Sequence, residues 1–131
     1  MTQVSKAVWG PACWTLLHAA AAACEPQTAT AFAAFLWALG HVLPCPECRA
    51  HLVAFLHATR PEQIIRDAAS ASRYTFTLHN HVNEQIGKHL APPELIHVSY
   101  GVKLIGLAVR PLSDGRHRRQ MPLLARPFRI L

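Results

Sequence analysis

Acidic residues, cysteines and β-branched runs are all scarce in this chain of 131 residues. Asp and Glu total 7 against 13 Lys and Arg, and Cys numbers 4. The scarcity of β-branched runs, set against abundant Ala, argues against sheets and for helices throughout. Apolar runs are short. Ala19–Cys24 and Leu104–Val109, like every other apolar run in the chain, fall far below the roughly 18 residues of a membrane-spanning helix. The opening MTQVSKAVWGP has one Lys and no apolar stretch, which reads as neither a secretory signal nor a transit peptide. A cytoplasmic protein is therefore expected, with neither membrane nor nucleic acid as its main partner. Four cysteines in such a chain are too few for a disulfide scaffold and point to catalysis or metal binding. A content of 51% hydrophobic and 15% charged residues excludes disordered and collagen-like classes.

The charge is unevenly placed. The formal total is +6, yet residues 110–131 hold six Arg and one Asp, net +5, leaving +1 for the first 109 residues. Two regions follow: a near-neutral domain over residues 1–109 and a basic, Pro- and Arg-rich arm over 110–131.

Proline and glycine punctuate the domain. A first helix is expected over about Trp9–Cys24, with Pro11 in its first turn and Trp14, Leu17, His18 and Ala21 on one face. A second is expected over Thr28–Val42, ended by Pro44. Pro46 suits the first position of a third helix, which places Cys45 at its N-cap and ends the helix at Arg60-Pro61. Residues 62–71 read as a short helix or a loop. A fourth helix is expected over Ser72–Lys88, with Gly87 as a stop signal, and a fifth from Pro92 to about Val109. This is an all-α chain: a four-helix bundle with a short fifth helix and a C-terminal arm.

Three segments carry chemistry. Cys45-Pro-Glu-Cys48 straddles a helix start, where free N–H groups favour thiolate. The pair suits a reversible disulfide, half a zinc site, or two buried thiols. A closed zinc site needs two further ligands. No Cys follows Cys48, although His51, His79 and His81 are available. The segment from Leu78 to Lys88 places His79 and Asn83 one turn apart, as a polar stripe or as a core histidine beside a solvated amide. Trp9-Gly10-Pro11 with Trp14 and His18 reads equally as core.

Taken together, WGPxxWxxxH, PCPxCxxH and HNxVNxxxGK, in this order, resemble the Erv/ALR family of FAD-dependent sulfhydryl oxidases over about residues 6–100. The resemblance implies a homodimeric helical bundle holding FAD, oxidising dithiols and reducing O2 to hydrogen peroxide. It implies that Cys48 is the cysteine nearest the flavin and that Cys45 exchanges with a dithiol protein or a thioredoxin-like Cys-x-x-Cys relay. It also implies flavin contacts from Trp9, Gly10, Trp14, His18, His51, Tyr74, His79, Asn80, Val82, Asn83, Lys88 and Tyr100, with no metal.

Three family features are missing. The Cys that staples the fifth helix is absent, as is the Tyr after the first helix, where Ala22, Ala23 and Cys24 stand. There is no second Cys-x-x-Cys shuttle. The short form is most similar to the oxidases of large DNA viruses, which would act in host cytoplasm or virion rather than the mitochondrial intermembrane space. Cys13 and Cys24, about 16 Å apart along one helix, are too distant to pair with each other. The alternative reading is a zinc-stabilised nucleic-acid-binding module using Cys45, Cys48 and nearby His, with the Arg-rich arm on phosphates.

Overall fold

The computed structural model describes residues 4–92, and every regular element among them is helical. Helix α1 spans Lys6–Ala22, α2 Ala29–Val42, α3 Pro46–Thr59, α4 Pro61–Ile64 and α5 Ala68–Gln85. The predicted fifth helix, Tyr100 and the arm lie outside the described residues. None of the described helices is long and apolar enough to cross a membrane.

Local chemistry accounts for most boundaries. Ser5 caps α1 by accepting from the Ala7 N–H, so the helix begins before Trp9 and Pro11 falls inside it. That corrects the expected first-turn position: a cap one turn upstream outweighs the single backbone bond Pro11 forgoes. Glu25 and Thr28 cap each other across a 3₁₀ turn, Pro26–Thr28, which delivers the chain into α2. Cys45 is the N-cap of α3 and Pro46 its first residue, as expected.

Arg60, at φ 56°, turns the chain in the left-handed region after α3 and leads into the single turn of α4. Helix α5 starts at Ala68 rather than Ser72. Asp67 Oδ1 accepts from the Ser70 N–H at 2.8 Å, and Ser70 Oγ accepts from the Asp67 N–H at 3.0 Å. This reciprocal capping box draws the helix start forward one turn. At the other end Gly87 takes φ 70° and Lys88 N–H donates to Asn83 O at 2.8 Å. The 6→1 bond ends α5 in a Schellman motif.

Helix α1 packs along α5 and α2 along α3, while the turn of α4 touches both α2 and α5. One buried cluster joins them, with Leu17, Ala21, Phe32, Leu36, Leu56, Ala71, Tyr74 and Leu78 at its centre. Where α2 meets α3 the backbones approach closely: a Cβ on Gly40 would lie 2.7 Å from Val53 Cγ2.

Candidate functional site

The redox pair is set where α3 begins. Cys45 and Cys48 form a disulfide with Cα atoms 5.2 Å apart. Cys45 Sγ also accepts the Cys48 N–H at 3.2 Å, so the capping bond of α3 falls on sulfur. The two cysteines are not equivalent: Cys45 is buried, while Cys48 is half-exposed and lines a cleft. Arg49 closes the preceding turn by donating to Leu43 O at 2.7 Å.

The cleft has a volume of about 210 Å³ and opens between α1, the end of α2, the start of α3 and α5. Trp9, Gly10, Trp14, Cys48, His51 and Val82, all expected at the site, line it. Sequence reasoning missed Leu39, Leu43, Leu52, Leu78, His81 and Gln85, which complete much of the wall. Apolar spacing alone marks Leu39, Leu52 and Leu78, and a stripe of that kind marks a buried face without distinguishing a packed neighbour from a cavity. His81 was marked by its place beside His79 and Asn80, and its ring rests against Phe55 with centroids 4.9 Å apart.

The segment from His79 to Asn83 divides among three faces of α5. At about 100° per residue, Leu78, His81, Val82 and Gln85 form the cleft face. His79 and Asn83, both buried, turn to the α1 side. There His79 Nδ1 lies 2.8 Å from His18 Nε2, and Trp14 stacks on the His79 ring at 3.8 Å with 7° between planes. Burial lowers His18 to a pKa of about 4. Burial, then the His18 and Lys88 charges, lowers His79 to about 3. Both imidazoles are neutral at neutral pH, so a single N–H lies between the two nitrogens.

Asn80 faces neither way, and its amide pairs with the backbone of Ala91. Tyr74 lies apart from the cleft in the α3–α5 core. Its hydroxyl bonds Thr59 Oγ1 and its ring meets Phe55 edge-on. Burial raises its pKa. Lys88, half-buried, follows the α5 stop.

The residues present fit a flavin head. At about 210 Å³ the cleft is below the roughly 300–1,000 Å³ of a typical small-molecule site, so it takes one part of a dinucleotide and not the whole. Its walls are indole rings and leucines, which suit a flat aromatic group. The buried Nε1 of Trp9, a cleft residue, has no hydrogen-bond partner among the described residues. It is a donor that a heteroaromatic ligand in the cleft could meet. Free Cys13 also lines the cleft, with its thiol pKa raised by burial, and free Cys24 is buried.

A disulfide held at a helix N-terminus in the wall of an aromatic cleft defines an all-helical protein of the thiol–disulfide redox class. A profile of the Erv1 / Alr family matches residues 11–100, and the chain belongs to that family. It is 31% identical over 86 residues to the FAD-linked sulfhydryl oxidase of African swine fever virus, covering 63% of this chain and 71% of the viral protein. In fold it is similar to the yeast Erv1 core, with a TM-score of 0.67 at 22% identity, covering 74% of this chain and 84% of that one. The FAD binding domain of Erv1 from Saccharomyces cerevisiae is similar at a TM-score of 0.65 and 23% identity, covering 74% and 92%.

Proposed function

We propose that this chain is an FAD-dependent sulfhydryl oxidase that forms disulfides in dithiol substrates and delivers the electrons to O2, with hydrogen peroxide as product. The observation that carries this reading is the Cys45–Cys48 disulfide with Cys48 in the cleft wall. FAD bound with its ring in the cleft would supply two-electron acceptance and reaction with oxygen. Trp9, Trp14, His51 and Val82 would hold that ring beside Cys48, and Lys88 would meet phosphate as a point charge.

The thiol chemistry belongs to the chain. A substrate thiolate attacks Cys45 Sγ, the Sγ–Sγ bond breaks, and Cys48 leaves as thiolate. A second substrate thiolate attacks the substrate sulfur of the mixed disulfide. That expels Cys45 thiolate and leaves the substrate oxidised by two electrons and the pair reduced. Approach is from the outer side of the first turn of α3, where Pro44, Pro46 and Glu47 are exposed. Cys45 is 3% exposed, so this turn must yield to admit the attacking sulfur. The Cys48 N–H stabilises Cys45 as a thiolate and keeps it within reach of Cys48 for closing the disulfide again.

The proposal extends to a homodimer acting on a dithiol protein or a thioredoxin-like relay in the cytoplasm, with the arm over 110–131 appended to the domain over 1–109. The zinc alternative is not favoured. The two cysteines are bonded to each other, and among the described residues no three His, Cys, Asp or Glu side chains gather as metal ligands. Purified protein expressed with ample FAD should be yellow and release peroxide from dithiothreitol. A colourless, zinc-containing, inactive sample would refute the reading. Truncation after Arg110 should leave flavin and small-dithiol turnover intact, and loss of flavin would place the arm in the site.

A further inference from the structure

We propose that Asn80 is a positioning residue, acting through Ala91 to hold the Lys88–Ala91 segment along α5, and not a group that touches the cofactor. Asn80 Nδ2 donates to Ala91 O and Asn80 Oδ1 accepts from Ala91 N–H, each at 2.9 Å. The side-chain amide thus reproduces a two-point backbone pairing across eleven residues of sequence. On the helix Asn80 lies about 100–160° away from Leu78, His81, Val82 and Gln85, which line the cleft. An amide bonded at both ends on the far face of α5 is poorly placed to serve a ring in that cleft.

What the clamp does follows from where it sits. The segment is tied at its start by the bond from Lys88 N–H to Asn83 O and at its end by Asn80. The chain therefore leaves Gly87 in a left-handed turn and doubles back to the level of Asn80, about two helical turns earlier. Ala91 is buried while His89, Leu90 and Pro92 on either side are exposed, so the residue Asn80 grips is the one that seats the segment. The clamp fixes the path of Lys88 and the point from which the chain departs beyond Pro92. Its bearing on the flavin rests on the oxidase reading, whereas the clamp itself does not.

Asn80→Ala removes both bonds. Asn80→Asp keeps the size and the acceptor but sets a carboxylate against the Ala91 carbonyl, and it regains a donor only when protonated. Amide hydrogen exchange on the full chain should show Ala91 protected in the wild type and at least about tenfold less protected in both variants at pH 7, with residues 75–78 of α5 unchanged. In Asn80→Asp the protection should return as the pH is lowered through the carboxylate's titration. Flavin affinity should fall in parallel with Ala91 protection. Ala91→Pro, which deletes the N–H and leaves Asn80 intact, should weaken flavin binding too, and combining it with Asn80→Ala should add little.

Wild-type Ala91 exchanging as fast as in Asn80→Ala would show that the clamp is absent. Flavin affinity lost in Asn80→Ala while Ala91 stays protected, or while Ala91→Pro binds normally, would mean direct contact and overturn the proposal. A wild type that binds no flavin would defeat the oxidase reading, and the exchange data would still judge the clamp.

Discussion

Lowering the pH from 7 to 5 should cost the folded chain about 4 kcal/mol through His18 and His79 alone. Each is a base whose folded pKa, about 4 for His18 and about 3 for His79, lies below the 6.5 of an unperturbed imidazole. The unfolded chain therefore takes up protons first. Stability from these groups is complete above about pH 6.5 and is lost as the pH falls toward their folded values. At pH 5 the unfolded imidazoles are 1.5 units past their midpoint. At about 1.4 kcal/mol per unit each forfeits about 2 kcal/mol, a large part of a typical total of about 5–15 kcal/mol.

The cause is geometric. Protonating the pair buries charge against the stacked Trp14 ring and places two N–H groups across the 2.8 Å gap. Two exposed carboxyls are also shifted, and both shifts act at lower pH. Glu62 is held below its ordinary value of 4.5 chiefly by its backbone N–H, and Asp67 below 3.8 chiefly by the Ser70 N–H. Their contributions are present above those values and fade beneath them, outside the window. The assay is urea unfolding at pH 7, 6 and 5 at one fixed flavin concentration, beside a His18→Gln/His79→Gln variant. A wild-type loss below about 1 kcal/mol, or the same loss in the double variant, would show that the His18–His79 pair does not set the acid sensitivity.

Three further outcomes are expected. Cys48→Ser should retain flavin but lose turnover, while Cys45→Ser should leave a Cys48 thiolate in the cleft wall and show long-wavelength charge-transfer absorbance; the band appearing in Cys48→Ser instead would reverse the roles. Gly40→Ala should destabilise by about 1–3 kcal/mol in denaturant titration, because its Cβ meets the stiff, β-branched Val53. Adding Val53→Ala should recover part of that loss, and no recovery would locate the strain elsewhere. Asp67→Ala should speed amide exchange at Ser70 and the first turn of α5, leaving the Gly87 end unchanged.

Elements with local causes were legible in order and type. Pro44, Pro46 and Gly87 stop or start helices through contacts within a turn or two, so their positions could be read along the chain. Cys45 at an N-cap and Pro46 after it are as predicted. The ordered Trp, Cys and His-Asn motifs pointed to the family that the profile match supports. Errors fell at boundaries set by short capping side chains: Ser5 before α1 and the Asp67–Ser70 box before α5. The box was written in the sequence, but a stretch equally readable as loop or short helix hid it.

Which side chains share a helical face can be read along the chain, since period and punctuation are properties of one segment. What each face meets depends on how the helices pack. Pairing α1 with α5 brings His18 to His79 across 61 positions and lays Trp14 on the same ring. The meeting of α1, α2, α3 and α5 turns leucine stripes into cleft walls and gives Cys48 to the cleft while burying Cys45. The return of the chain after Gly87 delivers Ala91 to Asn80. A helix of 3.6 residues per turn must spread a five-residue motif around its circumference. The packing of its neighbours then assigns one part to the cleft, one to the core and one to the returning chain.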